Sequence, residues 1–245
     1  MIETKDFMQD ICKYVVGTGF FEKIRVLADN KSTLVESFKD KSIVFKGKTN
    51  EVNGLTGEFG LSNLDLLKHI CGDPEFGAKE SQMTPEYVTR DGETDPGEFG
   101  YTNKSKTFIT YRVMSKKLIP NQPKFIEPKW DVVVKPTKSS VSQFSWAAAG
   151  LASYEQYFIP KVVNGELKFF IGEDDAATQR GGVVFATDRT ETFASPYKWK
   201  IQHLMGVLKV IDGCDCEMAF SAKGIMVTLN TGVGSYRYIF PAKTN

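Results

Sequence analysis

Few residues in this chain could bind a metal ion or act as a nucleophile. The sequence contains two histidines and four cysteines, and two short pairs bring some of them together, His69 with Cys71 and Cys214 with Cys216. Structural zinc sites usually separate paired ligands by roughly two to four residues, whereas a single residue separates the members of each pair here. In a strand such neighbours point to opposite faces. The spacing predicts small, buried or half-buried side chains and no metal site.

Acidic clusters are the second group of residues that could do chemistry. Glu173-Asp174-Asp175 is typical of a hairpin tip, and Asp212, Asp215 and Glu217 are typical of charges at strand edges. Carboxylates can hold the two metal ions of a nuclease, but no basic general catalyst accompanies these. The chain also lacks a Gly-rich phosphate loop, a dinucleotide fingerprint, a Gly-x-Ser-x-Gly elbow and a His-Glu-x-x-His helix. We therefore expect no enzyme and no cofactor, with a nuclease-like enzyme with a scattered carboxylate site as an open alternative.

A short motif recurs and suggests an internal repeat. Leu-Lys-x-Ile-x-Gly occurs at 67–72 and again at 208–213, an offset of 141 residues. An amphipathic segment precedes each copy at a similar distance, at 4–15 and at 139–152. The pattern predicts two copies of one plan, helix, strands, helix, strands, of the kind that builds assemblies by pseudo-symmetry.

Hydrophobic periodicity places four helices among short β-rich runs. Helices are predicted at 4–15, at 64–72 with Ser62 as the N-cap, at 139–154, and at 198–211. The third is uncharged before Glu155, and the fourth has a basic exposed side. Asn164-Gly165 predicts a tight hairpin.

Charge is balanced overall but unevenly distributed. The chain has 31 basic and 30 acidic residues, yet 73–98 carries a net charge of −6 and 99–138 a net charge of +7. The first stretch predicts an exposed acidic loop. The second is either an ordinary solvated surface or one that attracts a polyanion.

Length and composition predict a soluble protein with a sizeable core. A chain of 245 residues, 41% hydrophobic, can form one large or two ordinary domains. No apolar run is long enough to span a bilayer, so we expect no membrane association. Acidic residues occupy the N-terminal start, where a signal peptide would be basic. The sequence predicts free thiols and a cytoplasmic location.

Three segments resemble the DNA sliding clamps, most closely those of myovirus-type tailed bacteriophages. Residues 57–67 resemble the strand-to-helix step of the first clamp domain, and 120–125 resemble the connector between clamp domains. Residues 236–243 are similar to the last strand and the aromatic-Pro-x-Lys tail. The resemblance covers the whole chain in order, although the acidic stretch 73–98 is longer than the family pattern.

This resemblance implies an α+β fold made of two pseudo-repeated clamp domains, each with two helices packed on antiparallel sheets. The implied division is an N-terminal domain at 1–117, a connector at 118–128 and a C-terminal domain at 129–245. Three copies form a homotrimeric ring around duplex DNA and tether the replicative DNA polymerase for processive synthesis. The implied partners are DNA, the polymerase, a clamp loader and further copies of the chain, in the cytoplasm of a host cell if the origin is a phage.

The resemblance and the predicted elements together assign three groups of candidate residues. Those facing DNA are Lys5, Lys13, Lys68, Lys198, Lys200 and Lys209. Those forming a pocket for a partner's tail are Leu118, Ile119, Phe125, Ile126, Ile239, Phe240 and Pro241. Those at the subunit interface, on edge strands predicted at 107–113 and 181–187, are Thr107, Ile109, Tyr111, Val183, Val184 and Phe185. A β-rich virion structural or scaffold protein, which would use the repeat only for assembly, is the other alternative.

Overall fold

The chain divides into two compact units. A computed structural model describes residues 1–40, 42–90, 92–123, 125–173, 179–211 and 214–242. The first unit comprises 1–39, 45–123 and 230–236, and the second comprises 40–44, 124–229 and 237–245. The predicted domain ranges remain a prediction, because compactness alone does not define a clamp domain. Among the described residues no helix could span a bilayer.

The first unit contains two helices and eight strands. They are α1 (Thr4–Tyr14), β1 (Ile24–Ala28), β2 (Ser32–Lys39), β3 (Ile43–Asn50), β4 (Gly57–Leu61), α2 (Leu64–Cys71), β5 (Gln82–Arg90), β6 (Glu93–Thr102), β7 (Phe108–Arg112) and β8 (Met114–Ser115). The strands form one sheet in the order β8-β4-β1-β2-β3 and a second in the order β5-β6-β7. The first two residues of β3 belong to the second unit.

Both helices of this unit bury one apolar stripe. Phe7 and Ile11 of α1 and Leu67 and Ile70 of α2 are fully buried, at the spacing that places side chains on one helical face. The side chain of Asn63 caps α2 by accepting from the amide of Leu66 at 3.3 Å. The predicted cap at Ser62 was therefore wrong by one residue.

The acidic stretch is a β-hairpin, and its prediction as a loop was wrong. Residues 82–90 and 93–102 form β5 and β6, which pair along their whole length. Met83, Phe99 and Tyr101 are buried, while the acidic side chains lie largely on the other positions. The carboxylate of Asp95 accepts the amide of Glu58 at 3.0 Å. The acidic residues thus decorate a sheet instead of keeping the segment unfolded.

The second unit contains two helices and eight strands of its own. They are β9 (Val132–Val134), α3 (Lys138–Leu151), β10 (Tyr157–Val163), β11 (Glu166–Ile171), β12 (Gly181–Ala186), β13 (Trp199–Lys200), α4 (Ile201–Val210), β14 (Asp215–Ser221), β15 (Gly224–Asn230) and β16 (Gly234–Pro241). One sheet has the order β16-β15-β14-β9 and the other β12-β11-β10-β13. The first three residues of β16 belong to the first unit.

An aromatic cluster forms the centre of the second unit. Phe144 of α3 lies 5.4 Å from Phe158 and 5.1 Å from Phe169, measured between ring centroids. Phe169 stacks on Phe185 at 4.3 Å. All four side chains are buried, so the helix is fixed to the sheet by ring packing.

The two units repeat one plan, as the sequence predicted. Each has two helices and two antiparallel sheets. The recurring motif lies at the C-terminal turn of the second helix in both units, although 212–213 fall outside the described residues. Between the units, residues 116–118 form one turn of 3₁₀ helix. The described part of 119–131 has no helix or strand.

Candidate functional site

Helix α1 offers one lysine to solvent and uses another internally. Lys13 is exposed in the last turn, and its ammonium lies 4.8 Å from the ring centroid of Tyr14. The ammonium of Lys5 instead donates to the carbonyls of Ala78 and Ser81, at 2.8 and 3.1 Å. Lys5 therefore fastens the segment after α2, which explains why it is a poor candidate for contacting DNA.

Helices α2 and α3 carry little net charge. Lys68 is exposed on α2, but exposed Asp65 offsets it one turn earlier. Thr137 and Ser140 form a capping box at the start of α3, so the predicted cap at Ser139 or Ser140 was wrong by two or three residues. Lys138 is the single charged residue of α3. The prediction that this helix is nearly neutral is confirmed.

Helix α4 begins later than predicted. It starts at Ile201, so Lys198 and Lys200 precede the helix and the predicted start at Lys198 was wrong. Lys200 lies in β13, opposite Tyr157. Lys209 is exposed in the last turn of α4, as predicted.

Lys198 and Lys200 border a small cavity of about 40 Å³ within the second unit. His203 of α4 and Pro241 of β16 also line it. The two lysines are therefore placed beside the C-terminal strand. Of the six predicted DNA-facing lysines, Lys13, Lys68 and Lys209 remain on exposed helix faces.

Strand β7 forms one edge of its three-stranded sheet. The amide of Val113 donates to the carbonyl of Gly97 at 3.0 Å, and the amide of Asn103 donates to the carbonyl of Thr107 at 3.1 Å. Bonded and non-bonded pairs alternate along an antiparallel ladder. Hence the odd-numbered residues of β7 use their backbone groups to bond β6.

The even-numbered residues of β7 direct their backbone groups to the open edge. These residues are Phe108, Thr110 and Arg112, whose partners in the register are non-bonded pairs. The side chain of Phe108 is 61% exposed, whereas Tyr111 is fully buried on the opposite face. The edge therefore presents unpaired N–H and C=O groups next to an exposed aromatic ring.

The same reasoning fixes the hydrogen-bond direction along β10 and β11. The amide of Ile201 donates to the carbonyl of Gln156 at 2.9 Å, so even-numbered residues of β10 bond β13 and odd-numbered residues bond β11. Asn164 and Gly165, with φ of 54° and 78°, form the predicted two-residue hairpin turn. Even-numbered residues of β11 therefore bond β10, and odd-numbered residues bond β12.

Strand β12 is the edge of its four-stranded sheet. Phe169 lies opposite Val183, and Ile171 lies opposite Gly181, so these pairs carry the bonds between β11 and β12. Gly182 and Val184 consequently direct their N–H and C=O groups to the open edge. The described residues thus contain one open edge strand of this kind in each unit.

The predicted interface residues lie on the right strands but include the wrong alternate positions. The backbone groups of Thr107, Ile109 and Tyr111 bond β6, as shown above. Tyr111, Val183 and Phe185 are also buried inside their own units, with 0%, 7% and 3% exposure. Of the six predicted residues, only Val184 directs its backbone to an open edge. The strand assignment follows from the sequence, but the parity requires the neighbouring strand.

The predicted partner-binding residues differ in exposure. Leu118 and Ile126 are 68% and 90% exposed, whereas Ile239 and Phe240 are buried. The carbonyl of Phe240 accepts the indole N–H of Trp199 at 3.2 Å. Ile239 and Phe240 can therefore support a binding surface from below but cannot themselves contact a partner.

The chemical residues identified in the sequence do not form a catalytic cluster among the described positions. Within the described ranges, no group of three or more His, Cys, Asp or Glu residues could hold a metal ion. Asp174, Asp175 and Asp212 lie outside those ranges. Asp215 pairs with Lys135 at 3.0 Å on the surface. The thiols are free, and a hydrogen bond with Cys12 together with burial raises the pKa of Cys71.

Solved structures with the same fold are PCNA sliding clamps. One neighbour is PCNA from A. fulgidus bound to the C-terminal region of FEN-1, with a TM-score of 0.67, 11% identity, and coverage of 99% of this chain and 97% of that chain. Another is PCNA from Thermococcus kodakaraensis, with a TM-score of 0.68, 10% identity, and coverage of 99% and 98%. No protein-family model and no curated protein matches the sequence.

These neighbours do not support the predicted phage origin. At such low sequence identity the similarity establishes the fold and nothing further about residues or partners. The expected fold class, an α+β arrangement with few helices on antiparallel sheets, is confirmed. The chain has the fold of the PCNA sliding clamps over nearly its whole length.

Proposed function

We propose that this protein is a sliding clamp, a non-enzymatic ring that encircles duplex DNA and tethers the replicative DNA polymerase. The observation that carries the proposal is the clamp fold over 99% of the chain together with one open edge strand in each unit. The clamp domains are proposed at 1–117 and 129–245, joined by the connector 118–128.

The two edges supply a head-to-tail contact that can close a ring. Strand β7 has five residues and β12 has six, so the strands match in length. Pairing β7 of one copy with β12 of the next satisfies backbone groups that otherwise invite aggregation. A contact between two different surfaces of the same chain repeats around a rotation axis until the ring closes. Three copies, as the clamp resemblance implies, give six units.

The helix faces suit weak and non-specific contact with DNA. Lys13, Lys68 and Lys209 provide scattered positive charge without a dense basic patch. Lysines that contact phosphates bind without reading sequence. A ring retained by topology requires only such sparse contacts, which allow it to slide. Lys5, Lys198 and Lys200 are the weaker members of the predicted set.

Partner proteins are proposed to dock through a short apolar tail. The exposed side chains of Leu118 and Ile126 and the rim residue Pro241 are the proposed contacts, with Ile119 and Phe125 beside them. The PCNA neighbour solved with the C-terminal region of FEN-1 supports a tail-binding mode of this kind. The proposed partners are the polymerase and a clamp loader.

A direct test combines assembly with retention on DNA. Sedimentation equilibrium of the full chain should give three times the mass of the monomer. When the protein is loaded onto nicked circular DNA by its cognate loader, it should stay bound at high salt and dissociate once the DNA is linearised. A chain that remains monomeric at high concentration would refute the ring. Metal-dependent cleavage of the DNA would favour the nuclease alternative.

A further inference from the structure

An apolar groove runs beside the open edge of β12. It has a volume of about 780 Å³ and lies between α3 and β12, with Trp146, Ala147 and Gly150 on the helix side and Gly181 and Gly182 on the strand side. The small residues leave space next to the indole ring. The groove belongs entirely to the second unit.

Trp146 stands out because its side chain is 82% exposed, whereas Trp199 is 6% exposed and Trp130 is half-buried. A large aromatic side chain on a neutral helix gains stability when it is covered. Fully burying such a side chain contributes about 1.5–3 kcal/mol by hydrophobic transfer. The exposed indole therefore indicates a surface that another molecule covers.

The strand geometry determines which side of a paired strand would cover this groove. In β7, the residues whose backbone groups face the open edge also have side chains on the face opposite the buried Tyr111. In β12, Gly182 and Val184 likewise lie on the face opposite the buried Val183 and Phe185. Directly opposed residues of an antiparallel pair have side chains on the same face.

Pairing β7 with β12 therefore aligns the two buried faces as well as the two outer faces. Helix α2 contacts β7 in the first unit, and α3 contacts β12 in the second. Both helices must then lie on the same side of the joined sheet. The half-buried side chain of Ile109 is on this side of β7, next to the groove of the neighbouring copy.

We propose that the α3–β12 groove is the seat of the α2–β7 edge of a second copy, and that Trp146 is the hydrophobic anchor of this contact. The inference rests on the proposed ring and names the side chain that closes it. The contact is made on the helix side of the sheet, separately from the backbone pairing at its edge.

Tryptophan fluorescence tests this contact in the full-length protein. Emission and acrylamide quenching should be followed across a dilution series, with sedimentation velocity at the same concentrations. A Trp146→Ser variant supplies the signal of the other two tryptophans. On association, the emission assigned to Trp146 should shift to shorter wavelength, and its quenching should fall severalfold.

The association constants of two variants provide the second measurement. Trp146→Ser should weaken association by tenfold or more. Tyr154→Ser is the matched control, because Tyr154 is also an exposed aromatic residue, 63% exposed, and follows the same helix without lining the groove. It should associate as wild type does.

The outcomes separate this inference from the proposed ring. A trimer in which Trp146 stays fully quenchable, or a Trp146→Ser variant that associates as tightly as wild type, would overturn the groove contact and leave the ring standing. In the first case the groove would be open to some other partner. A wild-type chain that stays monomeric would overturn both.

Discussion

Replacing Thr110 with proline tests the proposed edge pairing without disturbing the sheet that contains it. The pair formed by Thr110 and Gly100 is a non-bonded one, so the amide lost to proline has no partner within its own unit. In the ring that amide would face the backbone of the next copy, near Val184. The variant should therefore fold normally and assemble poorly.

The expected magnitude follows from one lost hydrogen bond at each subunit contact. A buried carbonyl left without its donor costs about 1–3 kcal/mol, and the proline ring also obstructs close approach of the strands. Since about 1.4 kcal/mol corresponds to a tenfold change in an equilibrium constant, each contact should weaken by roughly 5- to 150-fold. Every contact in the ring carries the substitution.

Sedimentation velocity over a concentration series measures the loss of assembly, and thermal unfolding monitored by circular dichroism measures the fold. Ile109→Pro is the matched control, because the amide of Ile109 bonds β6 and its loss should lower the melting temperature directly. On β12 the corresponding test is Val184→Pro, with Val183→Pro as its control. If Thr110→Pro or Val184→Pro forms trimers at wild-type concentrations, the strand pairing derived above is wrong.

Three further predictions concern DNA binding, pH dependence and core packing. Converting Lys68 and Lys209 together to Gln should lower the slope of log binding constant against log salt by up to about 0.9 per lost phosphate contact, with the trimer intact; an unchanged slope in a filter-binding titration would place the contacts elsewhere. Burial raises the pKa of Asp10 above its ordinary value, so its ionisation lowers stability as pH rises from below 3.8 through the folded-state pKa. Urea titrations should therefore show Asp10→Asn gaining stability relative to wild type across that window, and a difference independent of pH would refute this. Phe144→Ala should reduce the free energy of unfolding by about 3–5 kcal/mol, with a smaller loss for Phe144→Leu; equal losses would mean that the ring contacts of Phe144 contribute little.

Local patterns in the sequence were sufficient for the helices and for both edge strands. The helical spacing of Phe7, Ile11 and Tyr14 predicts α1 within one residue of its observed end, because an amphipathic stripe must face a core. The same reasoning located β7 and β12. The Asn164-Gly165 turn followed from the tolerance of these residues for positive φ.

Where the sequence misled, long-range contacts decided the structure. The acidic content of 73–98 suggested a loop, but Met83, Phe99 and Tyr101 alternate with the charged residues and pack into the first unit. The start of α4 moved because Trp199 pairs with Phe158 in a short strand and is buried with its N–H bonded to the carbonyl of Phe240. Neither partner is near in sequence.

The candidate sites show the same division. Sequence alone determined the supply of lysines, the neutral third helix and the edge strands, because these depend on residue type and period. It could not show that Lys5 donates to the carbonyls of Ala78 and Ser81. Nor could it show which residues of β7 face the open edge, since alternation within a strand is the same in either phase. Only the neighbouring strand fixes that phase, and so only the tertiary structure distinguishes Thr110 from Ile109.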